Sequence, residues 1–259
     1  IKPAEQAGMH WFGWGQYTGP WIFAGVFFLT SLINTTLRLR PDPLEVAGRL
    51  NRQADVGAPT RLFSDAVKAI RMSGDAQIAV IAMVISQMAM VAVMTMTPVH
   101  LRLHGHETVS AYIISLHIAG MYAFSPLVGR FADKRGRLTT IQVGALVLMG
   151  ATVLSSLAGD SPVLLFPALW MLGVGWSFGL IGGSSLLVDS IDQQIRVRVQ
   201  GAADLTMSFC GGLAGFSSGF IRKAVGYHVL SNVGTVLAGI LLVVVMWKKS
   251  TSSNGAVVE

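Results

Sequence analysis

Cysteine is almost missing from this chain: Cys210 stands alone inside an apolar run, which excludes a disulfide framework. Charge is scarce as well. Only 12% of residues are charged, against about 25% in a typical soluble domain. The charges are bunched, and the long stretches between them carry none, which places the chain in the membrane class. No nucleophile–base pairing, phosphate-cradling glycine loop or zinc-hydrolase spacing is found, so nothing argues for an enzyme or a cofactor. The net charge of +6 does not call for nucleic acid, because the cations lie in short segments between apolar spans. The chain begins at Ile1 and opens with no basic, short-apolar signal peptide, so it is expected to be part of a longer protein.

A helix needs about 20 apolar residues to cross a bilayer core of about 30 Å. Seven segments qualify, at 19–37, 76–99, 108–128, 138–158, 163–188, 201–221 and 226–247. They predict an all-α polytopic membrane protein with seven transmembrane helices. The connections 101–107, 132–137 and 159–162 are short, so consecutive helices are antiparallel neighbours. The exception is 38–75, a polar linker carrying Pro41, Pro43, Gly57 and Pro59. Within it Leu62, Phe63, Ala66, Val67 and Ile70 recur at helical spacing, with Arg61, Lys68 and Arg71 elsewhere on the wheel. That pattern predicts a helix over 60–72 lying in the interface, with a solvated linker helix as the alternative. The expected organisation is an outer segment and first span over 1–37, the linker 38–75, a six-helix bundle over 76–247 and a disordered tail over 248–259.

Orientation follows from the cations. One side collects Arg38, Arg40, Arg49, Arg52, Arg61, Lys68, Arg71, Arg130, Lys134, Arg135, Arg137, Arg196, Arg198, Lys248 and Lys249. The other has Lys2, Arg102, Arg222 and Lys223. The positive-inside rule puts the linker and the C-terminus in the cytoplasm and the N-terminus outside. Trp11, Trp14, Tyr17 and Trp21 then read as an outer aromatic anchor, and Trp247 as an inner one.

Small and polar residues inside the spans are the candidates for function. Gly173, Gly175, Gly179, Gly182 and Gly183 in the fifth span, and Gly211, Gly215 and Gly219 in the sixth, let helix backbones approach closely. Static packing and a sliding or rocking face are both open. Pro98, Pro126 and Pro167 bend helices in either case. His117 lies near mid-depth, where an imidazole with an ordinary pKa of about 6.5 can carry a proton; a neutral histidine bonded to a neighbouring helix is the other reading. Asp204 stands about one turn into the sixth span, placed to pair with a loop arginine or to bind a proton. Asp189 and Asp192 are expected to pair with Arg196 and Arg198. Gln87, beside Ser86, is the main polar group of the second span and a candidate for a substrate path, while Met83, Met88, Met90, Met94 and Met96 read as adaptable packing. His100, His104, His106 and Glu107 cluster after the second span; metal ligation and a solvated outer mouth are both open, and no metal site is predicted.

Residues 129–137, Gly-Arg-Phe-Ala-Asp-Lys-Arg-Gly-Arg, sit between the third and fourth spans and put four cations, Arg130, Lys134, Arg135 and Arg137, on one side of the bilayer. Gly129, Asp133, Lys134, Gly136 and Arg137 make the pattern GxxxD[RK]xGR, which resembles the loop signature of the major facilitator superfamily of secondary transporters. Leu138 departs from it, standing where Arg or Lys is usual. Over nearly its whole length the chain resembles the carboxy-terminal half of such a transporter preceded by the family's sixth helix. The resemblance implies alternating access about a midplane site, proton coupling, small-molecule solutes, a missing N-terminal half as partner, and a bacterial inner (plasma) membrane location. It also implies that Gly129 and Gly136 permit a tight hairpin and that Asp133 and the neighbouring cations form a cytoplasmic latch. Asp204 would face the corresponding latch of the absent half. A seven-helix receptor and a stand-alone half-transporter are the alternatives; the transporter signature, and the lack of a buried lysine in the last span, count against the receptor.

Overall fold

A computed structural model describes residues 18–40, 59–159 and 161–255. The aromatics Trp11, Trp14 and Tyr17, the linker cations Arg49 and Arg52, and the side chain of Trp21 lie outside the described residues. The described residues form helices α1 (Thr18–Arg38), α2 (Pro59–Met72), α3 (Gly74–Leu103), α4 (Glu107–Tyr122), α5 (Ser125–Arg135), α6 (Arg137–Leu157), α7 (Leu165–Ser190) and α8 (Arg196–Gly255). The chain divides into two units, residues 1–56 and 57–259.

In the first unit α1 exposes Phe27, Phe28, Leu32, Ile33 and Leu37. Its polar side chains turn back on the helix: the Thr30 and Thr36 hydroxyls donate to the carbonyls of Val26 and Leu32, each at 2.8 Å. That is how a hydroxyl is satisfied in surroundings without water.

In the second unit, five stretches are long and apolar enough to cross a membrane: 74–103, 107–135, 137–157, 165–190 and 196–250. Straight, the 60 residues of α8 would reach about 90 Å, three times a bilayer core. It is not straight. Gly226 has φ 88° and ψ 170°, a conformation open to glycine and strained for other residues. Contacts show that the helix doubles back there. Along the first arm Gly211 meets Gln87, Gly215 meets Val91 and Ser218 meets Thr95, so this arm runs parallel to α3. Along the second arm Tyr227 meets Thr97 and Lys248 meets Asp75, so it runs antiparallel to α3. The bundle is therefore an all-α array of alternating spans. One end gathers Asp133, Arg137, Asp189 and Lys248 (the basic end), and the other gathers His100, His104 and His228 (the histidine end).

The core follows the same division. Met83, Ile141, Leu187, Val199, Leu241 and Val245 form an apolar cluster towards the basic end. Leu101, Ile113, Leu148, Leu165, Leu169 and Leu172 form one towards the histidine end, and Leu180 touches both. The second core joins α3, α4, α6, α7 and, through Tyr227 and Ala238, the second arm of α8.

The linker helix α2 is docked rather than lying free: Ala66 is buried, and Ala69 and Ile70 pack against the cluster at the basic end. Small side chains at 66 and 69 allow that approach, while Phe63 and Met72 stay exposed. A second difference concerns the tail. Residues 248–255, expected to be disordered, continue α8. Lys248 pairs with Asp75 at 2.9 Å, and Lys249 donates to Thr139 and Gln142, each at 3.2 Å, so side-chain bonds carry the helix beyond its apolar stretch.

Candidate functional site

Three side chains from three helices meet halfway along the bundle. The Trp176 indole N–H on α7 donates to Gln87 Oε1 on α3 at 2.6 Å. The ring of Tyr122 on α4 stands edge-on to Trp176, with centroids 6.0 Å apart and planes at 76°. At 1.5 Å per residue, all three lie about 17–24 Å from the ends of their spans, so they share one depth. Gly211 on the first arm of α8 closes the group from a fourth side: a methyl there would come within 2.7 Å of Gln87 Cγ.

The bonding fixes the amide. An indole N–H can only donate, so Gln87 must turn its oxygen to Trp176 and its NH2 away. That NH2 makes no hydrogen bond among the described residues, and neither does the Tyr122 hydroxyl. Trp176 is 7% exposed and Tyr122 60%, so the indole forms a base and the phenol an accessible wall. No Asp, Glu, Lys or Arg lies between Asp75 and Arg102 on α3, or between Glu107 on α4 and Arg130 on α5. Gln87 is a sequence candidate that the structure brings into this group. Trp176 and Tyr122 were not among the candidates; the signal that marks them is a polar-tipped aromatic deep in an apolar span.

His117 is at similar depth but points elsewhere. It is fully buried between α4 and α7, with Nδ1 donating to the Leu169 carbonyl at 2.8 Å. Its Nε2 is buried with no hydrogen-bond partner among the described residues. Asp204 is apart from both, exposed on α8. It accepts from Gln200 Nε2 at 2.9 Å rather than pairing with a loop arginine, and Gln200 in turn accepts from Ser184 on α7.

The basic end differs most from expectation. Residues 129–135 are not a loop but the last turns of α5. The break falls earlier, at Ala123–Phe124, because Pro126 has no N–H to continue the ladder from α4. The hairpin between α5 and α6 is made by Gly136 alone, at φ 88°. Gly129 is inside a helix, where an added methyl would meet nothing within 4 Å. Arg137, the first residue of α6, gathers three elements. Its Nη1 donates to Asp133 Oδ1 at 3.0 Å and to the Ala132 carbonyl at 2.9 Å, and its Nε donates to Asp189 Oδ2 on α7 at 2.9 Å. Asp189 is thus the partner of Arg137, not of Arg196, which donates to the Ile191 carbonyl. Asp192 caps the turn through the Gln194 N–H at 2.8 Å. Arg130, Lys134 and Arg135 are exposed and make no hydrogen bond or ion pair among the described residues.

At the histidine end, His100 Nε2 donates to the Gly159 carbonyl at 2.9 Å and its ring stacks on Tyr227 at 4.4 Å and 15°. His104 lies 4.4 Å from His100 by ring centroids, and His228 sits edge-on at 6.3 Å. His228 and Tyr227 replace His106 in the cluster, brought in by the second arm of α8. No group of three or more metal-ligating side chains is gathered among the described residues.

Comparison with known proteins bears on the whole chain. A family profile described as the Major Facilitator Superfamily matches residues 7–216. The chain is 37% identical over 237 residues to the uncharacterized MFS-type transporter YddS of Bacillus subtilis, covering 88% of this chain and 53% of that protein. It is 35% identical over 233 residues to YdeG of the same organism, covering 89% and 54%. The riboflavin transporter RfnT of Brucella anthropi is 29% identical over 167 residues, covering 64% and 42%. The chain thus spans about half the length of the curated relatives it matches. No solved structure matches it. A profile match over most of the chain, together with an all-α array of membrane-length helices, establishes that the chain belongs to the major facilitator superfamily.

Proposed function

We propose that this chain is the carboxy-terminal portion, from the family's sixth helix onward, of a proton-coupled secondary transporter that moves a small solute by alternating access. The observation that carries the reading is the group Gln87, Trp176 and Tyr122: polar tips from three helices at one depth, with donors left open halfway along the bundle. Family transporters of inverted-repeat design bind solute near the bilayer midplane at the interface between repeats. The basic end is then cytoplasmic by the positive-inside rule, in a bacterial inner membrane. There the exposed cations Arg130, Lys134 and Arg135 would meet a second bundle, while Asp133 and Arg137 hold the hairpin that presents them. Asp204, exposed near the same end, would face that second bundle as well.

His117 is the proposed proton carrier, supported by its depth and by a buried Nε2 that has no hydrogen-bond partner among the described residues. The test is solute flux driven by a pH gradient in proteoliposomes holding the full reading frame that contains this chain. Gln87→Ala is expected to lower flux about tenfold with normal insertion. His117→Gln is expected to flatten the pH dependence. Flux unchanged in Gln87→Ala overturns the site, and an unchanged pH profile in His117→Gln overturns the carrier.

A further inference from the structure

We infer that the site at Gln87, Trp176 and Tyr122 takes an uncharged, flat, conjugated ring system bearing a carbonyl acceptor; the inference rests on the transporter reading and names its solute class. Shape comes from the aromatics. Trp176, buried and pinned through its N–H, cannot turn, and it holds the Tyr122 ring edge-on at 6.0 Å. Tyr122 is 60% exposed, so one face of its ring is open as a stacking surface. Stacking of this kind rewards a planar π-system over a saturated ring of the same size.

Polarity comes from the amide and the phenol. With Gln87 Oε1 occupied by the indole, its two N–H donors point away unpaired, and the Tyr122 hydroxyl is a third open donor. These donors match a carbonyl oxygen on the solute, and a solute without an acceptor would leave them unpaired. Charge is excluded on this side. No Asp, Glu, Lys or Arg lies at this depth on α3, α4 or α7, and His117 faces into the α4–α7 contact. An ionised solute group here would be desolvated with no counter-charge.

The test uses the full-length transporter in detergent and in proteoliposomes. Coumarin, a flat uncharged lactone, is compared with its saturated counterpart octahydrocoumarin and with coumarin-3-carboxylate. Further pairs, each a flat carbonyl-bearing ring and its saturated form, are added as competitors. The expected result is at least tenfold preference for flat over saturated members and for uncharged over charged ones. That preference should be lost in Tyr122→Leu, kept in large part in Tyr122→Phe, and weakened in Gln87→Leu. Tyr122 is exposed, so Tyr122→Leu should fold normally, which thermal unfolding checks. Equal binding of flat and saturated members, or a preference that survives Tyr122→Leu, overturns the inference. Flux is read separately: a transported aliphatic or charged solute would leave the transporter reading standing and sink this one. Flat-ring binding without flux under an imposed gradient would do the reverse.

Discussion

The two ends of the bundle solve one problem in two chemistries. Each end has a helical hairpin turned on a single glycine with φ 88°, Gly136 at one and Gly226 at the other. Each glycine is followed at once by the residue that ties the end together. After Gly136 comes Arg137, which joins α5, α6 and α7 through two carboxylates and a carbonyl. After Gly226 comes Tyr227, which stacks on His100 and shares a hydrogen bond with Thr97 at 2.9 Å, while its neighbour His228 bonds to the Ser156 carbonyl. One lock is ionic and half-exposed; the other is built of rings and carbonyls and is largely buried. The backbone device is the same, and the side chain after it decides which solution conditions can loosen that end.

Four experiments would break or sharpen this contrast. The largest effect is expected from the hinge itself. Gly226→Ala has free space for its methyl, so its cost is conformational, about 1–3 kcal/mol. Thermal unfolding in detergent should show it, with Gly129→Ala, inside helix α5, as the contrast of opposite sign, stabilising by about 0.5–1 kcal/mol. Next is Arg137→Met, which keeps the stem and removes the charge. With both carboxylate partners half-exposed or more, a loss of about 1–2 kcal/mol is expected, together with faster hydrogen exchange at 130–137. Unchanged exchange there would show that the hairpin needs no ion pair.

Smaller is Tyr227→Phe, which leaves the ring stack and removes one buried hydroxyl. About 1 kcal/mol is expected, confined by hydrogen exchange to the histidine end. The mildest test needs no mutation. Near 1 M salt the screening length is about 3 Å, so exchange should rise at the basic end and stay flat at the other. The same response at both ends would show that the locks are not chemically distinct.

The spans were legible because a bilayer crossing leaves a run-length signal that needs no partner. Residue 226 was legible as a boundary for the same reason, and the signature at 129–137 pointed to the family. What the sequence hid were relations between distant residues. Asp189 lies 52 positions from Arg137, closer choices at 196 and 198 were available, and only the packing of α6 against α7 selects the partner. His228 joins His100 across a comparably long sequence separation for the same reason. Residues 129–135 looked like a loop because they are polar, yet polarity at a helix end beside water does not stop a helix; Gly136 does. Gln87 stood out as a polar residue in an apolar run, but Trp176 and Tyr122 count as apolar on hydropathy, and their polar tips matter only once they face each other.

Helix α7 carries a consequence of its own. Its glycines were expected to line one face, yet they contact three neighbours: Gly173 meets α4, Gly175 and Gly182 meet α6, and Gly179 and Gly183 meet α3. A methyl at Gly175 would stand 2.9 Å from the Leu148 nitrogen, and one at Gly183 2.9 Å from the Ala79 carbonyl. With backbone against backbone on three sides, α7 has no clearance to slide past any of them. Its register is keyed like a splined shaft in its hub, so α3, α4, α6 and α7 must translate and rotate as one solid. Paired spin labels within these four helices should therefore hold fixed distances through the proposed transport cycle, and all large changes should be found between this block and whatever lies opposite it.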